Sequence, residues 1–356
     1  MTDFDIAIAG IGAVAEVHAL AIGDIEGASV VAGSCRTEET GREFADEFDC
    51  AWYEDTGEML DAEEPGVLSV CTPSGAHLEP TLAAAERGVH VLCEKPLEIT
   101  PERIDEQIAA CEAADVRLGG IFQQRYNPVV STVHEAAAEG RFERPAALNA
   151  YVPWWRDDEY YRGAWQGVEE LDGGGALMNQ SIHGVDAIQW MAGATTEGTG
   201  NPVKEVFAYT DTLAHDDDII ETEDTAVAVL KYENGAVGQL LGATSMYPGS
   251  LKRLQVAGRD GTAEILEDEL VTWQFREERE DDQEIRERFT ATESGGGAAD
   301  PMAIDYSNHT KNIRDFLESV DNDEPYMLDG AESRKSVEII TAVYESAERG
   351  EPVELR

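Results

Sequence analysis

Lysine is the scarcest charged residue of this chain, with six copies among 356 residues. Lys and Arg together number 26 against 73 Asp and Glu, so the formal net charge is −47 at pH 7. Such a surface repels polyanions, and we expect neither nucleic acid nor a membrane as a partner. The acids are spread along the whole chain, which indicates a halophilic protein, because molar salt shortens the Debye length to ~3 Å and screens self-repulsion. An ordinary acidic cytosolic protein is the alternative.

Cysteine is also rare, and all five copies lie in the first third of the chain, at Cys35, Cys50, Cys71, Cys93 and Cys111. Their spacing fits neither paired CxxC metal motifs nor the disulfide framework of a secreted domain. No run reaches the ~18 consecutive apolar residues of a membrane-spanning helix, and no basic, apolar leader opens the chain. We therefore predict a reduced, cytoplasmic protein without a bound metal.

Regular apolar runs are nevertheless present from end to end, and in the first part of the chain strand patterns alternate with helix patterns. Strands are predicted at Phe4–Ala9, Ala28–Gly33, Val67–Cys71, Val89–Cys93 and Val116–Ile121, and helices at Ala13–Ile22, Glu38–Phe48, Leu78–Arg87 and Pro101–Ala114. This alternation implies right-handed crossovers and a parallel sheet that is covered on both faces.

After Tyr126 the pattern becomes mostly β. The predicted elements are helices at Val129–Glu139, Ser181–Met191, Ile304–Val320 and Ala331–Arg349, strands at Ala146–Val152, Val203–Leu213, Thr225–Tyr232, Ala236–Thr244, Leu251–Ala257, Thr262–Leu266 and Leu270–Phe275, and a flexible loop at Ser294–Asp300. Asn234-Gly235 and Asp260-Gly261 predict hairpins. The fold class is therefore α/β, with a parallel-sheet domain over residues 1–125 and an α+β domain over residues 126–356, whose open sheet is predominantly antiparallel.

A glycine-rich turn follows the first predicted strand and opens the first helix. It has the GxGxxA pattern of the phosphate-binding turn of a Rossmann dinucleotide domain, from Gly10 to Ala15. Its glycines let the backbone approach a pyrophosphate, and the helix N-terminus supplies amide donors. We predict that Gly10, Gly12, Ala13 and Val14 bind the cofactor, a merely tight turn being the alternative.

The end of the second strand should contact the adenosine ribose. An acidic residue there favours NAD, but Gly33-Ser34-Cys35-Arg36 contains none. A small hydroxyl beside an arginine suits a 2′-phosphate. We therefore predict Ser34 and Arg36 as cofactor contacts and favour NADP slightly over NAD, which stays usable if Arg36 only stacks on adenine.

Two further strand ends carry polar residues. Thr72, Pro73 and His77 follow the third predicted strand, and Glu94 and Lys95 follow the fourth. Ligands of open parallel sheets bind beyond the carboxyl ends of the strands, so we predict that all five contact the cofactor. Lys95 is the only lysine before residue 204, and its ammonium is suited to assist hydride transfer at a substrate oxygen.

A second glycine-rich segment, GGGALMNQSIH over residues 173–183, enters a predicted helix. Asn179 and His183 are four residues apart, so they share a helix face if the helix begins early enough to include Asn179, and Asp186, three residues beyond His183, would extend that face. We predict that Asn179 and His183 belong to the active site, a satisfied core imidazole being the alternative for His183.

Together these motifs resemble the glucose–fructose oxidoreductase, inositol dehydrogenase and rhizopine-catabolism (Gfo/Idh/MocA) oxidoreductase family. The resemblance rests on AGIGAVA with His18, CTPSGAH, CEKPL, QRYNP, GGGALMNQSIHGVD and VYESAERGEPVEL. It implies a Rossmann domain, a C-terminal domain whose open sheet packs against partner subunits in a homodimer or homotetramer, and nicotinamide-dependent hydride transfer at a sugar or polyol.

The resemblance also implies catalytic roles for Lys95 and His183, with an Asp four residues before the His in many members. Asn179 occupies that position here. It can orient a substrate hydroxyl but cannot hold an imidazolium by charge. This form of the motif looks more like relatives that act on nucleotide-activated or anhydro sugars.

Aromatic and arginine residues suggest where a sugar binds. Aromatic faces pack on sugar C–H groups and arginine holds hydroxyls or a carboxylate, so Arg125, Tyr151, Arg156 and Trp165 are predicted substrate contacts, with core packing as the alternative. His183 would be the general base, and Lys95 would stabilise the alkoxide. Two other classes stay open: a hydrolase or lyase that recycles its hydride, and a non-catalytic dinucleotide- or sugar-sensing regulator.

Overall fold

The computed structural model describes residues 3–216, 218–290 and 306–355. The chain divides into two compact units, one formed by Met1–Gln123 with Ile304–Arg334 and the other by Gln124–Ala303 with Lys335–Arg356. The loop predicted at Ser294–Asp300 lies outside the described residues. The predicted domain over residues 126–356 differs from this division, because Ile304–Arg334 belongs to the first unit.

The first unit is built on a six-stranded sheet. Its strands are β1 (Phe4–Ala9), β2 (Ala28–Ser34), β3 (Ala51–Tyr53), β4 (Val67–Val70), β5 (His90–Cys93) and β6 (Leu118–Gly120), and its helices are α1 (Ala13–Gly23), α2 (Glu38–Phe48), α3 (Thr56–Glu63), α4 (Leu78–Ala85) and α5 (Pro101–Ala113). The strand order is β3-β2-β1-β4-β5-β6, and every pair is parallel. This is the doubly wound order of a Rossmann domain, which confirms the predicted fold.

The second unit is built on an eight-stranded sheet. Its elements begin with α6 (Pro128–Ala138), β7 (Pro145–Pro153), α7 (Asp158–Tyr161), α8 (Glu169–Asp172), a π-helix (Ala176–Ser181) and α9 (Ile182–Gly193), and continue with β8 (Val203–Asp211), β9 (Thr225–Tyr232), β10 (Val237–Ala243), β11 (Arg253–Gly258), β12 (Gly261–Leu266), β13 (Glu269–Phe275) and α10 (Asp282–Phe289). The chain closes with α11 (Ser307–Asn322), α12 (Gly330–Arg349) and β14 (Val353–Glu354).

The larger sheet has the order β13-β12-β11-β7-β10-β9-β8-β14. Only the β7–β10 pair is parallel among these strands, which confirms the mostly antiparallel prediction. The hairpins predicted at Asn234-Gly235 and Asp260-Gly261 join β9 to β10 and β11 to β12. Gly235 adopts a φ of +87°, a conformation that favours glycine in a tight hairpin turn.

Burial patterns explain why the two sheets differ. All four residues of β4 are buried, as expected for a parallel strand covered on both faces. Along β9, Ala226, Ala228 and Leu230 are buried, while Val227 and Val229 between them are exposed. The second sheet therefore has one packed face and one open face that carries valines.

α11 completes the first unit although it lies far along the chain. The Asn312 side-chain oxygen accepts a hydrogen bond from the Phe122 amide at 3.1 Å. Phe316 packs so close to Gly119 that a Cβ there would lie 2.7 Å from its ring. These contacts assign the helix to the Rossmann unit. None of the described helices is both long and apolar enough to cross a membrane.

Candidate active site

The first glycine-rich turn joins the ends of three strands. Gly10 adopts a φ of +89°, and a Cβ on it would lie 2.5 Å from the Thr72 backbone nitrogen. Its own amide donates to the Ser34 carbonyl at 2.9 Å. Only glycine lets the turn approach the chain after β4 this closely.

Gly12 has a different reason to be glycine. It is the N-cap of α1 and is extended, with φ −156°, and nothing lies within 4 Å of the position of a Cβ in the described structure. Because Gly12 has no side chain, it does not cap this 11-residue helix, and a helix leaves its first amides without a backbone partner. A helix N-terminus with a cradle that a Cβ would fill fits a dinucleotide pyrophosphate.

The two predicted ribose contacts differ in exposure. Ser34 is buried and its hydroxyl forms a 2.9 Å hydrogen bond with the Thr56 hydroxyl at the start of α3. Arg36 is exposed in the turn before α2. The serine therefore helps to hold the strand end in place, and the arginine is the more accessible ligand for a phosphate.

His77 is buried and connects the two loops that follow β4 and β5. One ring nitrogen lies 2.8 Å from the Pro96 carbonyl oxygen and the other 2.7 Å from the Thr72 carbonyl oxygen. The Thr72 hydroxyl in turn donates to the Ala76 carbonyl at 2.9 Å. His77 and Thr72 therefore shape this edge of the sheet through backbone contacts, with Pro73 as the N-cap of the short 3₁₀ turn Ser74–Ala76.

A buried ion pair positions the backbone of Lys95. The His18 Nε2 lies 2.9 Å from one oxygen of Glu94, and the other oxygen accepts from the Lys95 amide at 3.0 Å. Burial alone raises the pKa of Glu94, but the hydrogen bond from His18 and the charges of His309 and Lys95 lower it to about 2. Burial works against the charged form of His18 too, yet Cys71 and Glu94 raise its pKa.

The donor atoms of His18, Glu94 and His309 lie within 4.8 Å of one another, which is a spacing that a metal ion can use. Both oxygens of Glu94 already accept hydrogen bonds, one from His18 and one from the Lys95 amide. We interpret the cluster as an ion pair that holds the end of β5.

The second glycine-rich segment forms a π-helix, Ala176–Ser181, that continues into α9. Asn179 lies in the π-helix and His183 in the first turn of α9. Extra-wide turns of this kind are frequent at functional sites. The motif therefore places both residues at the start of a helix. The segment that carries Asn179 is a π-helix rather than the predicted α-helix.

Glu223 holds this helix start and was missed by sequence analysis. Its carboxylate accepts from the Gly175 amide at 2.7 Å, the Leu177 amide at 2.8 Å and the Tyr344 hydroxyl at 3.0 Å. Burial raises its pKa to about 7 against these hydrogen bonds. Its only sequence signal is an acidic pair directly before a strand.

Asn179 belongs to a polar cluster that also contains Arg156. The Asn179 amide nitrogen lies 2.5 Å from an oxygen of the buried Asp172, and its oxygen accepts from Gln180 at 2.7 Å. Arg156 donates to Gln180 at 2.8 Å. His215 bonds to the Arg156 carbonyl at 2.9 Å and is itself held by Asp224 at 3.0 Å. Sequence analysis identified Arg156 and Asn179, but not Asp172, Gln180 or His215.

Arg125 does not fit the predicted role of a substrate contact. It is buried and forms two hydrogen bonds with Asp186, at 2.8 and 2.6 Å, and its guanidinium lies 4.9 Å from the centre of the Trp190 ring. Asp186 is therefore an internal ion-pair partner rather than an extension of the Asn179–His183 face.

Tyr151 is also placed differently from the prediction. Its neighbours Ala150 and Val152 on β7 pack against Gly184 of α9. Since side chains alternate along a strand, Tyr151 projects from the opposite, open face, where its hydroxyl donates to Gln239 at 2.6 Å. Trp165 is half-buried in the loop between α7 and α8.

Comparisons with known proteins agree with both units. Residues 4–122 match "Oxidoreductase family, NAD-binding Rossmann fold", and residues 135–355 match "Oxidoreductase family, C-terminal alpha/beta domain". Fold, cofactor turn and family match together define a nicotinamide-dependent oxidoreductase.

Three relatives show the range of similarity. Myo-inositol 2-dehydrogenase of Thermotoga maritima is 28% identical over 72% of this chain and 73% of its own length. D-xylose 1-dehydrogenase (NADP(+)) 2 of Haloferax volcanii is 26% identical over 98% of this chain and 97% of its own. The WlbA dehydrogenase of Bordetella pertussis, solved with NADH and UDP-GlcNAcA, is 29% identical, with a TM-score of 0.89 over 100% of this chain and 98% of its own.

The chain belongs to the Gfo/Idh/MocA oxidoreductase family. Within that family it is an NAD(P)-dependent dehydrogenase or reductase of sugars or polyols.

Proposed function

We propose that the protein transfers hydride between a nicotinamide cofactor and a carbon of a nucleotide-activated sugar, with a UDP-linked uronic acid as the leading substrate class. The full-length similarity to an enzyme solved with NADH and UDP-GlcNAcA carries this proposal. The GGGALMNQSIH segment, whose Asn179 departs from the Asp of many family dehydrogenases, supports it.

The nicotinamide supplies the hydride chemistry when bound, and the chain supplies binding, orientation and proton transfer. Gly10, Gly12 and the first turn of α1 hold the pyrophosphate. For the ribose we favour NADP over NAD, because Arg36 is exposed beside a strand end that lacks a carboxylate.

The proton chemistry is assigned to side chains at two element ends. His183 accepts the proton of the reacting hydroxyl as general base. The Lys95 ammonium stabilises the negative charge that develops on that oxygen. The backbone of Lys95 is held by the hydrogen bond from its amide to the Glu94 carboxylate. Asn179 orients the substrate.

We also propose that a second copy of the chain covers the open face of the larger sheet. Val227, Val229 and Val237 are each about half exposed on it, and a row of exposed valines on a sheet face is typical of a surface that packs against a partner.

A substrate panel tests the function. UDP-GlcNAcA, myo-inositol and D-xylose are incubated with NAD or NADP in molar salt, and nicotinamide absorbance is followed. We expect Lys95→Ala and His183→Ala each to lower turnover by ~10²–10⁴-fold, while cofactor binding, measured by protein fluorescence, survives. Lys204→Ala, which removes an exposed lysine of β8, is the matched control.

Near-wild-type turnover in either active-site variant contradicts the assignment. Disappearance of substrate without a net change in nicotinamide absorbance favours a hydrolase or lyase that recycles its hydride. Cofactor binding without any conversion favours a sensor.

A further inference from the structure

Four side chains of the second unit form a continuous row of hydrogen bonds. Arg156 Nη2 donates to Gln180 Oε1 at 2.8 Å, Gln180 Nε2 donates to Asn179 Oδ1 at 2.7 Å, and Asn179 Nδ2 donates to Asp172 Oδ1 at 2.5 Å. We call Arg156, Gln180, Asn179 and Asp172 the amide chain.

The charged ends of the amide chain set its direction. A guanidinium can only donate and an ionised carboxylate can only accept, so each of the two amides between them has one orientation that satisfies both neighbours. Asn179 must present its NH₂ group to Asp172 and its oxygen to Gln180. The second hydrogen of the Gln180 amide is directed to the Tyr160 hydroxyl at 2.9 Å.

Asp172 is a buried residue of the second unit. It is 1% exposed, and its second oxygen accepts from the Gly167 amide at 2.8 Å. Asn179 and Arg156 are 9% and 6% exposed. A buried carboxylate is costly unless it is hydrogen-bonded, so the amides of Gly167 and Asn179 both stabilise Asp172 in this position.

We propose that Asp172 is a positioning residue of the reaction, and that it supplies behind Asn179 the negative charge that many family dehydrogenases carry at the position of Asn179 itself. This inference rests on the proposed function. The amide chain fixes the orientation in which Asn179 meets the substrate, and through the π-helix it fixes the helix start that carries His183.

An exchange of the two side chains follows as a test. Asn179→Asp places two carboxylates at hydrogen-bond distance, so one of them keeps its proton up to an unusually high pH. While that proton is present, the pair mimics the Asn179–Asp172 bond, and once it is lost the two groups repel. Turnover of the variant should therefore fall with rising pH where the wild type stays active.

The other titratable groups named around Asp172 in the described part of the chain do not account for a fall that differs between the variants. Tyr160 and Tyr161 of α7 and Tyr344 of α12 face it, and burial raises the pKa of each tyrosine above the ordinary value of 10. The charge of Arg156 is constant over the range. Glu223, whose pKa burial raises to about 7, holds the same helix start, and His183 lies in the helix that follows. Both residues are present in all the variants, so their titrations cancel in the comparison.

The experiment measures kcat and KM from mildly acid to alkaline pH, with the best substrate of the panel, in molar salt. Asp172→Asn is expected to lower kcat by ~10–100-fold, as expected when a reacting group loses its orientation. Asn179→Asp adds the alkaline fall. The double variant Asp172→Asn with Asn179→Asp restores one donor and one carboxylate, recovers most of kcat and loses the alkaline fall.

Glu170→Gln, which removes an exposed charge from the same helix, is the control and keeps the wild-type profile. Circular dichroism checks that each variant is folded. If a single variant does not fold, the activity of the folded double variant decides, and we expect that variant to be active. Two outcomes overturn the role of Asp172 and leave the proposed function standing. In the first, the wild type is active and the Asp172→Asn and Asn179→Asp variants keep its pH profile. In the second, the double variant is folded but inactive. A wild type without turnover on any substrate overturns the proposed function and this role with it.

Discussion

Gly10 and Gly12 are two residues apart in the same turn, yet an added methyl group should lower the stability of the protein at Gly10 and its affinity for the dinucleotide at Gly12. At Gly10 the left-handed φ costs a non-glycine residue ~1–2 kcal/mol, and the contact of 2.5 Å with the Thr72 nitrogen adds an overpacking cost of ~1–3 kcal/mol. Gly10→Ala should therefore lower the free energy of unfolding by ~2–5 kcal/mol.

At Gly12 the backbone is extended and the space is open. Alanine there loses less conformational entropy on folding, a gain of ~0.4–1 kcal/mol, and it costs ~0.5–1 kcal/mol as a poorer N-cap than glycine. The free energy of unfolding without cofactor should stay within ~0.5 kcal/mol of wild type. The methyl group would occupy the phosphate cradle, so the Kd for the dinucleotide should rise at least ~10-fold, which is ~1.4 kcal/mol.

Urea unfolding without cofactor and a fluorescence titration with NAD and NADP measure the two effects separately, both in molar salt. If Gly12→Ala destabilises the free protein as much as Gly10→Ala does, a methyl group at Gly12 is not accommodated without strain, which contradicts the open space around it. If Gly12→Ala binds the dinucleotide as the wild type does, the pyrophosphate lies elsewhere.

Three further outcomes concern charge, assembly and salt. Because the folded-state pKa of Glu94 is about 2 against an ordinary 4.5, its ionised form contributes about 3 kcal/mol above pH 4.5, and this contribution is lost as the pH falls towards 2. The stability deficit of Glu94→Gln, measured by denaturant unfolding, should shrink over that interval, and a constant deficit would contradict the pairing with His18. In molar salt the wild type should sediment as a dimer or larger and Val229→Asp as a monomer. A wild type that sediments as a monomer in molar salt would refute the proposal that a second copy covers the open sheet face. At ~0.1 M salt the Debye length is ~10 Å and the acidic charges are less screened, so the far-ultraviolet circular dichroism of the wild type should weaken.

Local patterns predicted most of the architecture. β4 is recognisable because all its residues are apolar or small, and the Asn-Gly and Asp-Gly pairs predict hairpins through the backbone conformation that they accept. The short β3 and α3 between β2 and β4 were missed, because three strand residues and an acidic eight-residue helix carry little periodicity.

The buried charges could not be predicted from local patterns. Arg125 meets Asp186 across 61 positions, and Glu223 meets Gly175 across 48, so their partners appear only when the sheet is assembled. In a sequence with 73 acidic residues, the few carboxylates that are internal cannot be distinguished from the many that are solvated. The face of Tyr151 depended on the register of β7, where a shift of one residue exchanges the two faces.

The assignment of α11 to the Rossmann unit has a consequence for biosynthesis. Asn312 bonds to Phe122 across 190 residues, and a ribosome that adds ~5–20 residues per second makes that interval in ~10–40 s. During this time the nascent nucleotide-binding unit exposes the surface at Gly119 that Phe316 later covers, while strands β7 to β13 of the other unit emerge. The first part of the protein to be translated is therefore among the last to be completed, and chaperones have that interval in which to engage it.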